Sequence, residues 1–218
     1  MAGRRRPVGA SERSTGLYSM LGIPWVYSGL VSALGADRVS AYLVGRVLGE
    51  PSGLRILDFG AGTGGLRSRL GDCDYTAIEP NARYCERMKA VLRPRDTVIC
   101  GSVRELEALD RTFDRILMLA VLHHMSDELG TRVLRAFASH LAPDGLVVVM
   151  DNVFSPGQSM VSRLLAAADR GQHVRTMNAY QALARPSFAE VTSVVTRGLL
   201  RVPYDHHWMV CRHPLEGR

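Results

Sequence analysis

Two sets of residues in this 218-residue chain have the types and the spacing for chemistry. The first is the run Asp58-Phe59-Gly60-Ala61-Gly62-Thr63-Gly64-Gly65, in which an apolar stretch ends at an acid and glycines then alternate. Glycine accepts dihedrals that a Cβ forbids, and it lets a ligand approach bare backbone amides. A helix beginning after such a turn offers free N–H groups to a negative group. The acid Glu79, 19 positions past Gly60 and followed by Pro80, can accept hydrogen bonds from both hydroxyls of a ribose. The second set is His123-His124, Asp151-Asn152 and Tyr204 with His206-His207. Histidine titrates near neutrality and is a natural base for a hydroxyl or an amine. Asp151-Asn152 offers oxygen ligands, but the apolar run before His123 ends Leu119-Ala120 with no acid. Only part of an oxygen cage for a divalent cation is then present, and no metal is expected.

The glycines by themselves leave two readings open. Gly60, Gly62 and Gly65 have the spacing of a dinucleotide site. Gly60, Gly62 and Gly64, with Asp58 two residues ahead, have the spacing of an S-adenosylmethionine site.

The elements that must position these groups follow from periodicity. From residue 55 onward, strand-like and helix-like stretches alternate: strands at 55–58, 74–78, 97–100, 114–119 and 145–150, helices at 65–70, 81–92, 104–109 and 127–141. Such alternation implies a parallel sheet covered by helices on both faces. Two further helices are expected at 158–170 and 178–184. Strands at 190–196 and 199–211 then lie close enough to pair antiparallel. Upstream, Leu17, Met20, Leu21, Val26, Leu30, Val31 and Leu34 recur at helical spacing, and a further helix is expected at 38–48. Residues 1–10 read as a disordered basic tail, 11–49 as an N-terminal helical lid and 50–213 as the main domain.

Composition excludes several classes. Hydrophobic residues make up 46% and charged residues 22%, as in ordinary globular domains. The longest apolar runs are far too short to cross a bilayer, so no membrane association is expected. The four cysteines, Cys73, Cys85, Cys100 and Cys211, form no C-x-x-C pair, which argues against a zinc ribbon. They read as separate core thiols in a reducing, cytoplasmic setting. The net charge is +6, nearly all of it arginine, but the arginines are spread along the chain rather than clustered. That spread argues against a nucleic-acid partner.

The residues after the third and fourth strands choose between the two readings of the glycine turn. They are Cys100-Gly101-Ser102-Val103, then Phe113-Asp114 through Leu119-Ala120-Val121-Leu122-His123-His124, then Leu141-Ala142-Pro143-Asp144-Gly145. Taken in this order, from about residue 54 to 211, the chain resembles the class I S-adenosylmethionine-dependent methyltransferases, in particular small bacterial members with a V-L-H-H motif after the fourth strand. The resemblance implies a Rossmann-like α/β fold: a seven-stranded, mostly parallel sheet whose last strand is antiparallel, with helices on both faces. It implies S-adenosyl-L-methionine as cofactor. Asp58, Gly60, Ala61, Gly62 and Gly64 would face its methionyl part, and Glu79 and Pro80 its ribose. Ser102 and Val103 would flank adenine, and Leu119 would offer a carbonyl. Many relatives carry an acid where Ser102 stands, and a serine is a neutral, weaker partner.

Methyl transfer needs a nucleophile held in line with the sulfonium and shielded from water. Candidate bases are His123, His124 and His206. Candidate acceptor contacts are Tyr18 and Trp25 in the lid, Asp151 and Tyr204. Asp169, His173 and Arg175 fall where this family inserts substrate loops, and an arginine there could grip a carboxylate or phosphate. The expected activity is O- or N-methylation of a small molecule in bacterial specialised metabolism, by a monomer or homodimer. Two alternatives stay open: an RNA methyltransferase, and a cofactor-binding protein of this fold with a structural or ring-forming role.

Overall fold

The computed structural model describes residues 35–169 and 173–215. The expected tail, and the part of the lid that holds Tyr18 and Trp25, lie outside the described residues. The first described element is α1 (Ala36–Tyr42), which runs directly into a π-turn at Leu43–Leu48. Then follow β1 (Arg55–Phe59), β2 (Asp74–Glu79), α2 (Ala82–Lys89), β3 (Thr97–Cys100), α3 (Val103–Glu107), β4 (Phe113–Leu119), α4 (Asp127–Ser139) and β5 (Leu141–Phe154). The chain continues through α5 (Met160–Ala167), the two-residue β6 (Arg175–Thr176), α6 (Met177–Ala184), β7 (Phe188–Thr196) and β8 (His206–Pro214).

Local chemistry sets the helix starts. Before α2, the Asn81 side chain accepts from the Arg83 N–H at 3.0 Å. Before α4, the Ser126 hydroxyl accepts from the Leu129 N–H at 3.3 Å, and Asp127 and Glu128 place negative charge against the helix's positive end.

The strands form one sheet in the order β3-β2-β1-β4-β5-β8-β7, with β6 beside β5. β1 to β5 are mutually parallel, and β8 runs antiparallel between β5 and β7. The expected doubly covered, mostly parallel sheet is therefore present, with β6 as an additional short strand. Of the boundaries that differ, three have a clear physical cause. The helix expected at 65–70 is only a single 3-10 turn, Arg67–Arg69, because the span between Gly65 and Gly71 is too short to propagate a helix. The strand expected from 199 begins only at His206, since Pro203 cannot donate to a ladder. β5 is longer than its apolar run, because β4 pairs along one side and β8 along the other.

Alternation along the strands builds two cores. Leu57, Ile116, Val147, Val149 and Met209 pack against Phe137 and Tyr180 on the α4–α6 side. Ile56, Leu117, Val148 and Trp208 pack against Leu43, Leu48 and Leu70 on the other. Each such large side chain removed from water contributes about 1.5–3 kcal/mol. Side chains on β5 point alternately to opposite faces. Asp151 therefore follows Val147 and Val149 to the α4–α6 side, whereas Asn152 follows Val148 to the other.

The cysteines differ from expectation. Cys85 of α2 and Cys100 of β3 are joined as a disulfide with Cα atoms 6.1 Å apart, while Cys73 and Cys211 are free and buried. Sequence spacing could not show this, because the two cysteines, 15 positions apart, are brought together only when the chain folds back through α2 and β3. Among the described residues, no helix is long and apolar enough to cross a membrane.

Candidate active site

The glycine turn takes its shape from left-handed backbone at Gly60, Gly62 and Gly64, with φ of 77°, 57° and 76°. A Cβ at Gly60 would lie 2.5 Å from Val121 Cγ2, and one at Gly64 would lie 2.7 Å from Met88 Cγ. At Gly62 nothing lies within 4 Å, so only its dihedral calls for glycine there. Gly65 has neither a positive φ nor a neighbour in the way. The backbone thus requires the alternate glycines and not the G-x-G-x-x-G set.

Glu79 closes this turn from β2. One of its carboxylate oxygens accepts from the Gly62 N–H and the other from the Asn81 N–H, each at 2.9 Å. Burial raises its pKa, opposed by those two N–H donors. Asp58 is buried and accepts from the Tyr75 hydroxyl at 2.7 Å. Burial pushes it up to about 6, against the Tyr75 hydrogen bond and with a smaller push from Glu79. Pro80 is exposed, and Ala61 packs at the edge of the core.

At the end of β3, Ser102 caps α3 in a reciprocal box with Glu105. The Glu105 carboxylate accepts from the Ser102 N–H at 2.5 Å and its hydroxyl at 3.1 Å. A Cβ on Gly101 would lie 2.4 Å from Glu105 Cγ, so the acid folds over that glycine. Glu105 was missed in the sequence, although the S-x-x-E spacing of a capping box was there to be read. The Val103 side chain is buried in the core, which leaves its backbone to face any ligand.

The second cluster lies where β4 and β5 end. β4 stops at Leu119, and Ala120 takes a positive φ of 57°, uncommon for a residue with a side chain. A 3-10 turn, Leu122–His124, follows. Fully buried Asp151 organises that turn: it accepts from the Leu122 N–H at 3.2 Å and from the His123 N–H, and it pairs with His123 Nδ1. His123 Nε2 lies 3.2 Å from Asp169. Burial alone would lower the His123 pKa, but the hydrogen bonds to Asp151 and Asp169 outweigh it and raise it to about 9. His124 is more exposed, with its ring 4.0 Å from that of His123. Arg175 is committed to this turn rather than to a ligand. It donates to the Leu122 and Met125 carbonyls at 3.2 and 2.6 Å and to Asp127 at 2.7 Å.

β8 brings two more histidines alongside. His207 lies opposite Asp151, and His206 opposite Asn152. His207 Nε2 is 2.9 Å from Ser193 Oγ, and its ring stacks on Tyr180 at 5.1 Å. His206 is buried beside Tyr204, ring to ring at 5.0 Å. Burial lowers both imidazoles to about 4, so neither accepts a proton readily at neutral pH. Among the described residues, no group of three or more His, Cys, Asp or Glu could hold a metal ion.

The donor set suits S-adenosylmethionine: a left-handed glycine turn open at Gly62, a carboxylate at the end of β2 and a capped turn after β3. Residues 56–145 match the family model described as a methyltransferase domain. A protein of Oceanobacillus iheyensis described as an uncharacterized methyltransferase is 30% identical over 124 residues, which is 56% of this chain and 58% of that protein. The chain thus spans somewhat over half the length of this relative. The solved structure of the mitomycin 7-O-methyltransferase MmcR shares the fold with a TM-score of 0.66 at 19% identity, over 92% of this chain and 61% of that one. A plantazolicin methyltransferase solved with SAH shares it with a TM-score of 0.58 at 12% identity, over 86% and 84%.

Proposed function

We infer that this protein transfers the methyl group of S-adenosylmethionine to the oxygen or nitrogen of a small molecule. The observation that carries the reading is the pairing, above the glycine turn, of an imidazole with a fully buried acid at the ends of β4 and β5. The cofactor supplies the methyl on a sulfonium, an excellent leaving group. The chain must hold the acceptor in line and take its proton.

Asp151 fixes the His123 ring and leaves Nε2 as the atom that faces the loop bearing Asp169. With both ring nitrogens bonded to carboxylates, His123 is an imidazolium at neutral pH. Displacing Asp169 by an acceptor hydroxyl or amine removes one of the groups that raise its pKa, and Nε2 becomes a base of nearer-neutral strength. In this scheme His123 is the catalytic base. Asp151 is a positioning residue, and the buried, neutral His206 contacts the acceptor.

A small acceptor is favoured over RNA by where the arginines go. Arg55, Arg67, Arg111, Arg132 and Arg197 each pair with an acid of the domain, at Asp114, Asp96, Asp74, Glu107 and Asp205. The charge of these five arginines is therefore locally neutralised. The names of the two fold neighbours, which refer to mitomycin and plantazolicin, support a specialised-metabolite acceptor.

The test is calorimetry with S-adenosylhomocysteine on the wild type, Gly62→Val and Glu79→Ala, followed by S-adenosylhomocysteine release assays with phenols and amines on His123→Asn. Binding by the wild type, its loss in the first two variants, and loss of turnover but not of binding in the third are expected. A wild type that binds no S-adenosylhomocysteine would sink the proposal.

A further inference from the structure

Asn152 is 3% exposed, and neither its amide oxygen nor its amide nitrogen has a hydrogen-bond partner. Directly across the β5–β8 ladder, His206 is also 3% exposed with Nδ1 unpartnered. Facing residues on adjacent antiparallel strands hold their Cβ atoms about 4.5–5.5 Å apart on the same side of the sheet. The two side chains therefore form one unsatisfied polar pair. A buried donor or acceptor without a partner costs about 1–3 kcal/mol, and an asparagine with both ends unmet is a rare arrangement in a native core. His207, one residue on and on the opposite face of β8, also has an unpartnered Nδ1, but its Nε2 is held by Ser193 and its ring stacks on Tyr180, so it does not join this pair.

The pair's place and surroundings point to a ligand. Asn152 lies two strand positions past Met150, the partner of Leu119 at the end of β4. That is about 7 Å further along β5, beyond the end of β4 where ligands bind in open α/β sheets. Its wall is aromatic: Tyr204 stands beside His206, and Trp208, next on the same face of β8, meets Tyr42 at 5.1 Å. The adjacent acid, Asp205, is already held by Ser155, Ser162 and Arg197. We propose that Asn152 and His206 read the polar edge of an uncharged, flat acceptor that carries a hydrogen-bond donor and acceptor side by side, as an amide or lactam does. Asn152 Oδ1 takes the ligand's N–H, Nδ2 donates to its carbonyl, and the neutral imidazole of His206 meets a further polar atom. An ionised ligand would lose its hydration here with no opposite charge to meet it. This inference rests on the proposed methyl transfer and names the acceptor class for it.

The experiment uses the full chain saturated with S-adenosylhomocysteine and two probes of nearly equal shape, salicylamide and salicylate. Salicylamide is expected to bind at least about tenfold more tightly than the anion, and Asn152→Leu to lose about tenfold for salicylamide alone. Because leucine removes an unsatisfied amide, the variant should melt no lower than the wild type. His206→Phe should likewise weaken salicylamide, which keeps the test open if Asn152→Leu folds poorly. Equal affinity for the two probes, no binding of salicylamide, or unchanged affinity in both variants would overturn the assignment. Failure of the wild type to bind S-adenosylhomocysteine in the first step would instead strike the methyl-transfer reading beneath it.

Discussion

The half of the site built by β1 to β3 and the half built by β4, β5 and β8 are put together differently. In the first, backbone does most of the work: three left-handed glycines, two of them hemmed in by Val121 and Met88, and a carboxylate that bonds main-chain N–H groups. In the second, side chains meet across long sequence distances. His123 finds Asp151 from 28 residues away, and Ser155 finds Asp205 from 50. Backbone sites tolerate few residue types and leave a motif. Side-chain clusters depend on register, so a motif such as that around His123 shows the residue but not its partner.

The sharpest way to break this contrast is to remove the centre of the second half. Asp151→Ala strands the Leu122 and His123 N–H groups and the His123 ring at once. Breaking a buried pair of this kind costs about 3–5 kcal/mol. Urea denaturation should show a loss of that size. S-adenosylhomocysteine affinity of the folded variant should stay close to wild type, because the glycine turn is untouched. A variant that keeps its stability would mean the clamp does not organise the turn.

The next effect is one of pH. His207 has its pKa lowered by burial from 6.5 to about 4. As the pH falls below 6.5 the unfolded chain takes up a proton that the folded chain refuses, so stability is lost between pH 6.5 and 4. The full difference corresponds to about 3 kcal/mol. The buried Asp58, raised to about 6, works in the opposite sense, gaining stability as the pH falls through that value. The measurement that isolates the histidine is therefore the stability of the wild type minus that of His207→Gln, followed from pH 7 to 4. A flat difference would show that the imidazole titrates in the fold as it does in the unfolded chain.

Within the glycine turn, Gly60 and Gly62 differ in kind. Gly60→Ala meets both an adverse dihedral and the Val121 side chain and should cost about 2–4 kcal/mol, whereas Gly62→Ala meets the dihedral alone and should cost about 1 kcal/mol. Ligand binding should rank the other way per unit of stability lost, since Gly62 faces open space. Thermal melts with and without S-adenosylhomocysteine separate the two, and equal melting losses would refute the distinction.

These differences also explain what could be read in the sequence. The parallel order of β1 to β5 was visible because each strand is a short apolar run followed by a helical period. Glu79 and the alternate glycines were visible because their spacing is local. The glycines alone could not choose Gly64 over Gly65; that choice came from the motifs after β3 and β4, and its physical reason, Met88 packing from α2, was hidden. The disulfide and the partners of His123 were equally hidden, because each needs elements that are remote along the chain to come into register. The histidines of β8 were visible as titratable groups, but their charge was not: only the burial that β5 and β7 impose makes them neutral.

The smallest expected effect separates the two carboxylates that hold His123. Asp151 is fully buried and fixed by the turn, whereas Asp169 reaches Nε2 from the loop after α5 and is about a quarter exposed. Removing charge at Asp169 takes away one of the groups that raise the imidazole and leaves the other, so Asp169→Asn should lower the His123 pKa from about 9 toward 6.5. A raised histidine pKa adds stability that is fully present below 6.5 and is lost as the pH rises through 9. The variant should therefore lose its part of that stability at lower pH than the wild type, by an amount well under the Asp151→Ala effect. If His123 is the proton acceptor, the rising limb of activity against pH should move to lower pH by the same interval as the titration seen by NMR of the ring. A titration that moves while activity does not would keep the ion pair as architecture and take His123 out of the chemistry.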